Sequence, residues 1–227
     1  MSSSERVKVS YVFVILAISI ALSIGVVAVA TVLLILGGVA NFKELFEVVG
    51  ALGVPVFDAF LLIASLAYVI RGRLHELIGF RVSTGLVGAG VLWGLGLFAV
   101  NIVVSYALSR IIGVEFSSKI YEYLISYELI KYTIVATAVV LAPLAEELYF
   151  RGLLYTSLKP KIGIFWASIA SAAVFAAAHA MPTAFITLLV IGAVLAYVFE
   201  RYKSIVPAMV AHAINNVLGV SVLLAIK

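Results

Sequence analysis

The chain has 227 residues, of which 65% are hydrophobic and 11% charged, with a mean hydropathy of +1.25 and a formal net charge of +4. A soluble domain is about half apolar and about a quarter charged, so this composition excludes a soluble globular protein and predicts an integral membrane protein. The absence of cysteine excludes disulfides, thiol nucleophiles and thiolate metal sites. Asp58 is the only aspartate, which excludes an intramembrane protease with paired aspartates.

Seven apolar segments are long enough to cross a bilayer, for which a helix needs about 20 residues. They predict an all-α fold, a polytopic transmembrane bundle of seven helices forming a single membrane domain over residues 1–227. In chain order the segments are 11–40, 54–70, 84–108, 132–157, 163–181, 184–199 and 205–226. The run Ala28-Val29-Ala30 resembles a signal-peptide cleavage site, but the first apolar segment continues well past it, so we expect that segment to be a membrane helix.

The basic residues between the segments predict the orientation of the chain, because cytoplasmic loops are enriched in Lys and Arg. With a cytoplasmic N-terminus, nine basic residues lie inside, namely Arg6, Lys8, Arg71, Arg73, Arg81, Lys159, Lys161, Arg201 and Lys203. Five then lie outside, namely Lys43, Arg110, Lys119, Lys131 and Lys227. We therefore expect the N-terminus in the cytoplasm and the C-terminus outside, in the cell membrane or, for a eukaryotic protein, the endoplasmic reticulum. Basic residues spread in this way give no patch for nucleic acid, and no nucleic acid partner is predicted.

Two connecting segments are expected to lie on the membrane surface or in water. Residues 114–131 mix tyrosines with charges, which favours an interfacial helix. Residues 71–81 form a basic connector that contains His75, for which exposure is the default expectation. The third segment contains Gly90-x-x-x-Gly94, and the fifth is rich in Ala and Ser; small residues of this kind let membrane helices approach closely.

The fourth segment contains three charges at a position where each costs about 2.5–3.5 kcal/mol on insertion scales. Glu147 and Arg151 are four residues apart and share a helix face, so we expect them to form an ion pair that stabilises helix packing. Glu146 is rotated by about 100° from Glu147 and has no partner nearby in the sequence. A carboxylate left over in an apolar helix is a candidate general base.

Two of the three histidines also fall within predicted membrane helices. His179 ends the run Phe175-x-x-x-His179, and His212 shares a face with Asn216 four residues later. Counting 1.5 Å per residue from the predicted helix ends allows Glu146, His179 and His212 to lie in a common layer. Two histidines and a spare carboxylate favour catalysis or ion handling over simple packing. Asp58 and Asn101, by contrast, are each alone in an apolar helix and are interpreted as packing or hydrogen-bonding groups.

A metal site is the main chemical alternative at these residues. Glu146, His179 and His212 could supply two imidazoles and one carboxylate to zinc, with an open position for water. The compact His-Glu-x-x-His signature is absent from the sequence, so no metal and no other cofactor is expected.

The ordered set Glu146-Glu147-x-x-x-Arg151, Phe175-x-x-x-His179 and His212-x-x-x-Asn216 resembles the three motifs of the CAAX-protease and bacteriocin-processing family. The resemblance covers about residues 132–220 and is closest to the type II CAAX prenyl endopeptidases, which are intramembrane glutamate proteases. It implies that Glu146 and His179 activate a water and that His212 and Asn216 stabilise the oxyanion. Glu147, Arg151 and Phe175 would support the site. Alanines follow Phe175 where the family commonly has a glycine, and the family core is commonly described with eight helices rather than seven.

The resemblance implies a peptide or protein substrate, prenylated or otherwise delivered to the membrane, with membrane lipid as surroundings. Three alternatives stay open at this stage. The first is a non-catalytic scaffold or immunity protein of the same family, the second a zinc-dependent intramembrane protease, and the third a transporter that uses the buried charges as a proton relay. The sequence leaves the oligomeric state open.

Overall fold

A computed structural model describes residues 7–38, 41–71, 78–112 and 128–225. The residues in these ranges are helical throughout, with turns between the helices and no strand. The helices are α1 (Val9–Leu36), α2 (Phe42–Arg71), α3 (Thr84–Ile112), α4 (Glu128–Ala136), α5 (Ala142–Glu146), α6 (Thr156–Ala178), α7 (Phe185–Tyr202) and α8 (Ile205–Ala225). A short 3₁₀ turn, Pro182–Ala184, precedes α7.

Two stretches of π-helix flank α5, a first π segment at Thr137–Leu141 and a second at Glu147–Tyr155. The first ends just before Pro143, which has no N–H for the regular α-helical hydrogen bond to the preceding turn. π-helical turns are rare and occur frequently at functional sites. The unusual backbone therefore lies on either side of Glu146, the residue that the sequence marks as an unpaired carboxylate.

Six helical stretches are long and apolar enough to cross a membrane, as judged by length and composition within the described residues. The predicted count of seven, or eight, is wrong because two predicted segments, 132–157 and 163–181, belong to one helical stretch over Glu128–Ala178. This stretch leaves helical geometry at Gly163, where φ is 76° and ψ is 170°, a conformation that favours glycine. Ser171 beyond the break donates a hydrogen bond to the carbonyl of Phe150 before it, so the chain folds back on itself. The protein is accordingly an all-α, multi-pass membrane protein.

The Gly90-x-x-x-Gly94 pair lies in a close contact between α3 and α8. A Cβ atom at Gly90 would lie 2.6 Å from Cβ of Val210, and one at Gly94 would lie 2.6 Å from Cβ of Ile214. Both positions therefore require glycine for the observed helix distance. The contact matters for the site because it places α8, which carries His212.

Helices α1 and α2 pack against each other, and α2 also packs against α5 and both π segments. The hydroxyl of Tyr149 donates to the carbonyl of Val12 at 3.0 Å and so joins α1 to the second π segment. The predicted interfacial helix 114–131 falls outside the described residues except for its last four, which begin α4. His75 and the rest of 72–77 in the basic connector also lie outside them.

Candidate active site

The structure brings Glu146 together with both membrane histidines. Nε2 of His179 lies 3.9 Å from Oε1 of Glu146, and Nε2 of His212 lies 3.8 Å from Oε2. Glu146 is buried, and its Oε2 has no hydrogen-bond partner among the described residues. Distances of this length are too long for direct hydrogen bonds, but one water to the side of each pair can lie about 2.8 Å from both atoms and bridge them. A carboxylate thus lies beside two imidazoles without a direct hydrogen bond to either.

The partners of the other ring nitrogens define the tautomers of the two histidines. Nδ1 of His179 lies 2.8 Å from the carbonyl oxygen of Phe175, which can only accept, so Nδ1 carries the proton. Nδ1 of His212 lies 2.9 Å from Oε1 of Glu147, a carboxylate that likewise accepts. In their neutral forms both rings therefore present an unprotonated Nε2 to Glu146.

Glu147 and Arg151 form an ion pair at the buried side of the site, with Nη1 2.8 Å from Oε1 and both side chains fully buried. Nη2 of Arg151 donates to the carbonyl of Gly192 at 3.1 Å, which ties α7 to the second π segment. Oε1 of Glu147 thus accepts from Arg151 and from His212 together. A buried charge needs such pairing because an isolated ion costs several kcal/mol in an apolar interior.

Phe175 is the aromatic centre around which these groups pack. Its ring is fully buried and lies 4.6 Å from the ring of His179 and 5.9 Å from that of His212. The guanidinium of Arg151 lies over the same ring at 4.7 Å, within the range of a cation–π contact. One aromatic side chain therefore contacts the ion pair and both histidines at once.

Hydroxyl and amide side chains that pack against the π segments donate hydrogen bonds to backbone carbonyl groups of those segments. Ser171 donates to Phe150, Thr156 donates to Arg151, and Asn216 donates to Ala138 at 2.8 Å. Buried backbone groups without such partners would destabilise the fold. These hydrogen bonds hold the widened helix on both sides of Glu146.

Asn216 lies on the same helix as His212, but its hydrogen bonds within the described residues go elsewhere. Its Nδ2 donates to Ala138, and its Oδ1 accepts from Asn215 at 3.2 Å. Asn216 is therefore hydrogen-bonded to the first π segment. This bond uses one of the two protons on its Nδ2, and the second proton is not used in the bonds described here. The residue that contacts His212 most closely is Glu147, a contact that spacing along the sequence did not predict.

Among the described residues, no group of three or more His, Asp or Glu side chains is arranged to hold a metal ion. Each imidazole nitrogen that faces Glu146 lies 3.8–3.9 Å from its oxygens.

Sequence reasoning missed a third buried carboxyl group in this region, besides Glu146 and Glu147. Asp58 of α2 interacts electrostatically with Glu146, and neither of its oxygens has a hydrogen-bond partner among the described residues. The signal was the same one that identified Glu146, an acidic side chain alone in an apolar helix. Without the packing of α2 against α5, the sequence does not reveal that Asp58 interacts with Glu146.

The C-terminal part of the chain matches a family model described as type II CAAX prenyl endopeptidase Rce1-like, over residues 129–218. That range contains all the motif residues from Glu146 to Asn216. Comparison of the chain with curated proteins and with solved structures finds no match. The family supports, in general, a membrane peptidase of the CAAX protease type. Residues 129–218 are thus similar to the Rce1-like family, which is the family that the three motifs resemble.

Proposed function

We propose that the protein is an intramembrane glutamate endopeptidase that hydrolyses a peptide bond near the C-terminus of a prenylated, CAAX-type substrate. The observation that carries this proposal is the arrangement of Glu146 between two histidines, with Nε2 atoms 3.9 and 3.8 Å from its oxygens. The family match over residues 129–218 supports the class of reaction.

Glu146 and His179 activate the attacking water. A water that bridges them donates one hydrogen bond to the Glu146 carboxylate and the other to Nε2 of His179, which is an acceptor because Nδ1 donates to the Phe175 carbonyl. One lone pair of the water oxygen then attacks the peptide carbonyl carbon. General base catalysis of this kind contributes about 10²–10⁴-fold. Glu146 takes the proton as the bond forms and returns it to the leaving amine.

His212 and Asn216 stabilise the oxyanion that forms on the substrate carbonyl oxygen. His212 donates from Nε2 as an imidazolium, and the Glu147 carboxylate on the other side of its ring balances that charge. Asn216 contributes its second amide proton, since the first bonds Ala138. Donors held rigidly in a water-poor site stabilise such an anion far better than water does.

An apolar cavity next to His179 suits a substrate that carries a lipid. The cavity has a volume of about 400 Å³ and is lined by Leu16, Ile20, Ser23, Ile24, Phe57, Val174, Ala177 and Ala178. Ala177 and Ala178 directly precede His179 in the chain, so an apolar chain in the cavity would hold a tethered peptide near the site. Apolar pockets with a few convergent polar groups are typical of such sites.

The test is cleavage of a quenched-fluorescent farnesylated CAAX peptide, and of the same peptide without the lipid, by the purified protein. We expect the wild type to cleave the farnesylated peptide and Glu146→Gln and His179→Ala to lose about 100-fold or more in kcat. Glu128→Gln, whose side chain is 69% exposed at the start of α4, is the matched control and retains activity. Full activity of Glu146→Gln would exclude the mechanism. A wild type that is inactive on both peptides would favour the non-catalytic scaffold.

Chelation separates this mechanism from the zinc-dependent one. If Glu146 and His179 act directly on water, activity survives exhaustive dialysis against a chelator. Loss of activity that zinc alone restores would instead assign Glu146, His179 and His212 as metal ligands.

A further inference from the structure

Asp58 is a carboxyl group buried in the bundle without a partner. The residue is 1% exposed, and both of its carboxyl oxygens lack a hydrogen-bond partner among the described residues. It lies in the middle of α2, the helix that packs against α5 and both π segments. A carboxylate left in this state would cost several kcal/mol, because neither water nor a donor compensates its charge.

The neighbouring charge that acts on Asp58 is that of Glu146, which is a like charge. The cation of the site, Arg151, is already bound by Glu147 and by the carbonyl of Gly192. Two carboxyl groups that share a dry site do not both ionise readily, so one of them retains a proton. The question is therefore which of the two carries it.

The surroundings of the two groups answer that question. Oε1 and Oε2 of Glu146 face the imidazoles of His179 and His212, which can donate to a carboxylate directly when protonated or through a water. Among the described residues, no group donates a hydrogen bond to either oxygen of Asp58. We propose that Asp58 holds a proton beside Glu146 and so keeps Glu146 as the single reactive carboxylate of the site.

On the second π segment, Glu147 and Arg151 pair with each other, Tyr149 donates to the carbonyl of Val12 and Tyr155 donates to Glu200. The titratable groups of α1 and α4 lie near the ends of α2, away from Asp58. At one end, Tyr68 contacts the ring of Tyr11 and the backbone of Lys8. At the other end, Glu47 accepts from the backbone of Leu129, near Glu128 and Lys131. These positions are ten or more residues from Asp58, about 15 Å along the helix. Glu146 and its two histidines are thus the titratable neighbours that matter.

The inference about activity rests on the proposed function, in which an oxyanion forms beside Glu146. A neutral Asp58 does not oppose that anion, whereas an ionised Asp58 adds a second negative charge close to it. Raising the pH until Asp58 loses its proton would therefore depress kcat. Asp58 acts through Glu146 and is a positioning residue, not a group that attacks the substrate.

Infrared difference spectroscopy tests the proton on Asp58 without any need for activity. In the spectrum of the wild type minus Asp58→Asn at pH 7, we expect the C=O stretching band of a protonated carboxylic acid. Glu146→Gln removes the neighbouring charge, so the band should vanish at a lower pH than in the wild type. A difference spectrum with only carboxylate bands would overturn the proposal, and an unchanged titration in Glu146→Gln would overturn the coupling.

The pH profile of kcat tests the consequence for catalysis. Each variant is normalised to its own maximum, and the fall on the alkaline side should be absent or shifted upward in Asp58→Asn. The relative rates of the variant and the wild type should then differ by about tenfold at the alkaline end. Coincident profiles would show that Asp58 is only a packing residue. If the wild type cleaves no peptide, the proposed function fails, while the infrared measurement still decides the protonation of Asp58.

Discussion

Oε1 of Glu147 accepts hydrogen bonds from Nη1 of Arg151 at 2.8 Å and from Nδ1 of His212 at 2.9 Å. One carboxylate oxygen thus joins the second π segment to α8. The arrangement places the charge that orients His212 on the residue next to Glu146. The two adjacent glutamates therefore have different surroundings. Glu146 lies beside the two histidines, and Glu147 forms an ion pair with Arg151.

Replacement of Glu147 by Gln should destabilise the protein strongly, because Arg151 would remain buried without an anion. Removing one partner of a buried pair costs about 3–5 kcal/mol, which thermal denaturation in detergent would measure. Glu200→Gln is the control, since Glu200 pairs with Lys159 at a site where both side chains are partly exposed. That change should cost about 1 kcal/mol or less. Equal losses in the two variants would contradict the role given to Glu147.

Gly94→Ala should separate α3 from α8, because the new methyl group would lie 2.6 Å from Cβ of Ile214 and 2.9 Å from the carbonyl of Ala211. Overpacking of this kind costs about 1–3 kcal/mol. His212 follows Ala211, so peptidase activity should fall together with stability. Gly96→Ala, two residues away with no atom within 4 Å of the added Cβ, should leave activity unchanged and raise stability by about 0.5–1 kcal/mol. A stable and active Gly94→Ala variant would be inconsistent with this packing.

Ala180→Gly should stabilise the protein, because Ala180 has a left-handed backbone with φ of 51° directly after His179. This conformation costs a residue with a side chain about 1–2 kcal/mol and costs glycine little. A rise in melting temperature is therefore expected. Ala178→Gly, in the last turn of α6, is the control and should lower stability by about 0.5–1 kcal/mol. The prediction fails if the two substitutions act in the same direction.

Tyr149→Phe should weaken the attachment of α1 to the part of the bundle that contains the candidate site. The change removes the hydrogen bond from the hydroxyl to the carbonyl of Val12, and one such bond contributes about 0.5–1.5 kcal/mol. Amide hydrogen exchange in α1 should become faster. Tyr106→Phe removes a hydroxyl from a residue that is 66% exposed and should have no such effect. Unchanged exchange in Tyr149→Phe would argue against this connection.

Composition and motif spacing predict the membrane class, the helical fold and the Rce1-like family of the C-terminal part. They do so because bilayers demand long apolar segments and because buried charges are rare enough to be conspicuous. Six stretches are found instead of seven because the segments predicted at 132–157 and 163–181 follow each other without a non-helical connection and are separated only by the turn at Gly163.

The sequence does not predict which residues of neighbouring helices lie side by side. The spacing of His212 and Asn216 places both on one face of α8, yet they contact different elements, Glu147 and Ala138. In the π segments, the side chains point in directions that differ from those of an α-helix. The formation of these segments depends on hydrogen bonds from residues distant in sequence, such as Ser171. For the same reason the sequence alone indicates only a packing or hydrogen-bonding role for Asp58. The roles of these site residues stay predictions.

The second π segment also constrains the length of the chain. Each turn of π-helix holds about one residue more than an α-helical turn, so residues after Tyr155 are out of phase with an unbroken α-helix by about 100°. Deleting a single residue between Phe150 and Tyr155 would restore α-helical phase and turn α6, including His179, away from Glu146. Insertions and deletions should therefore be less tolerated in this segment than many exchanges of one side chain for another.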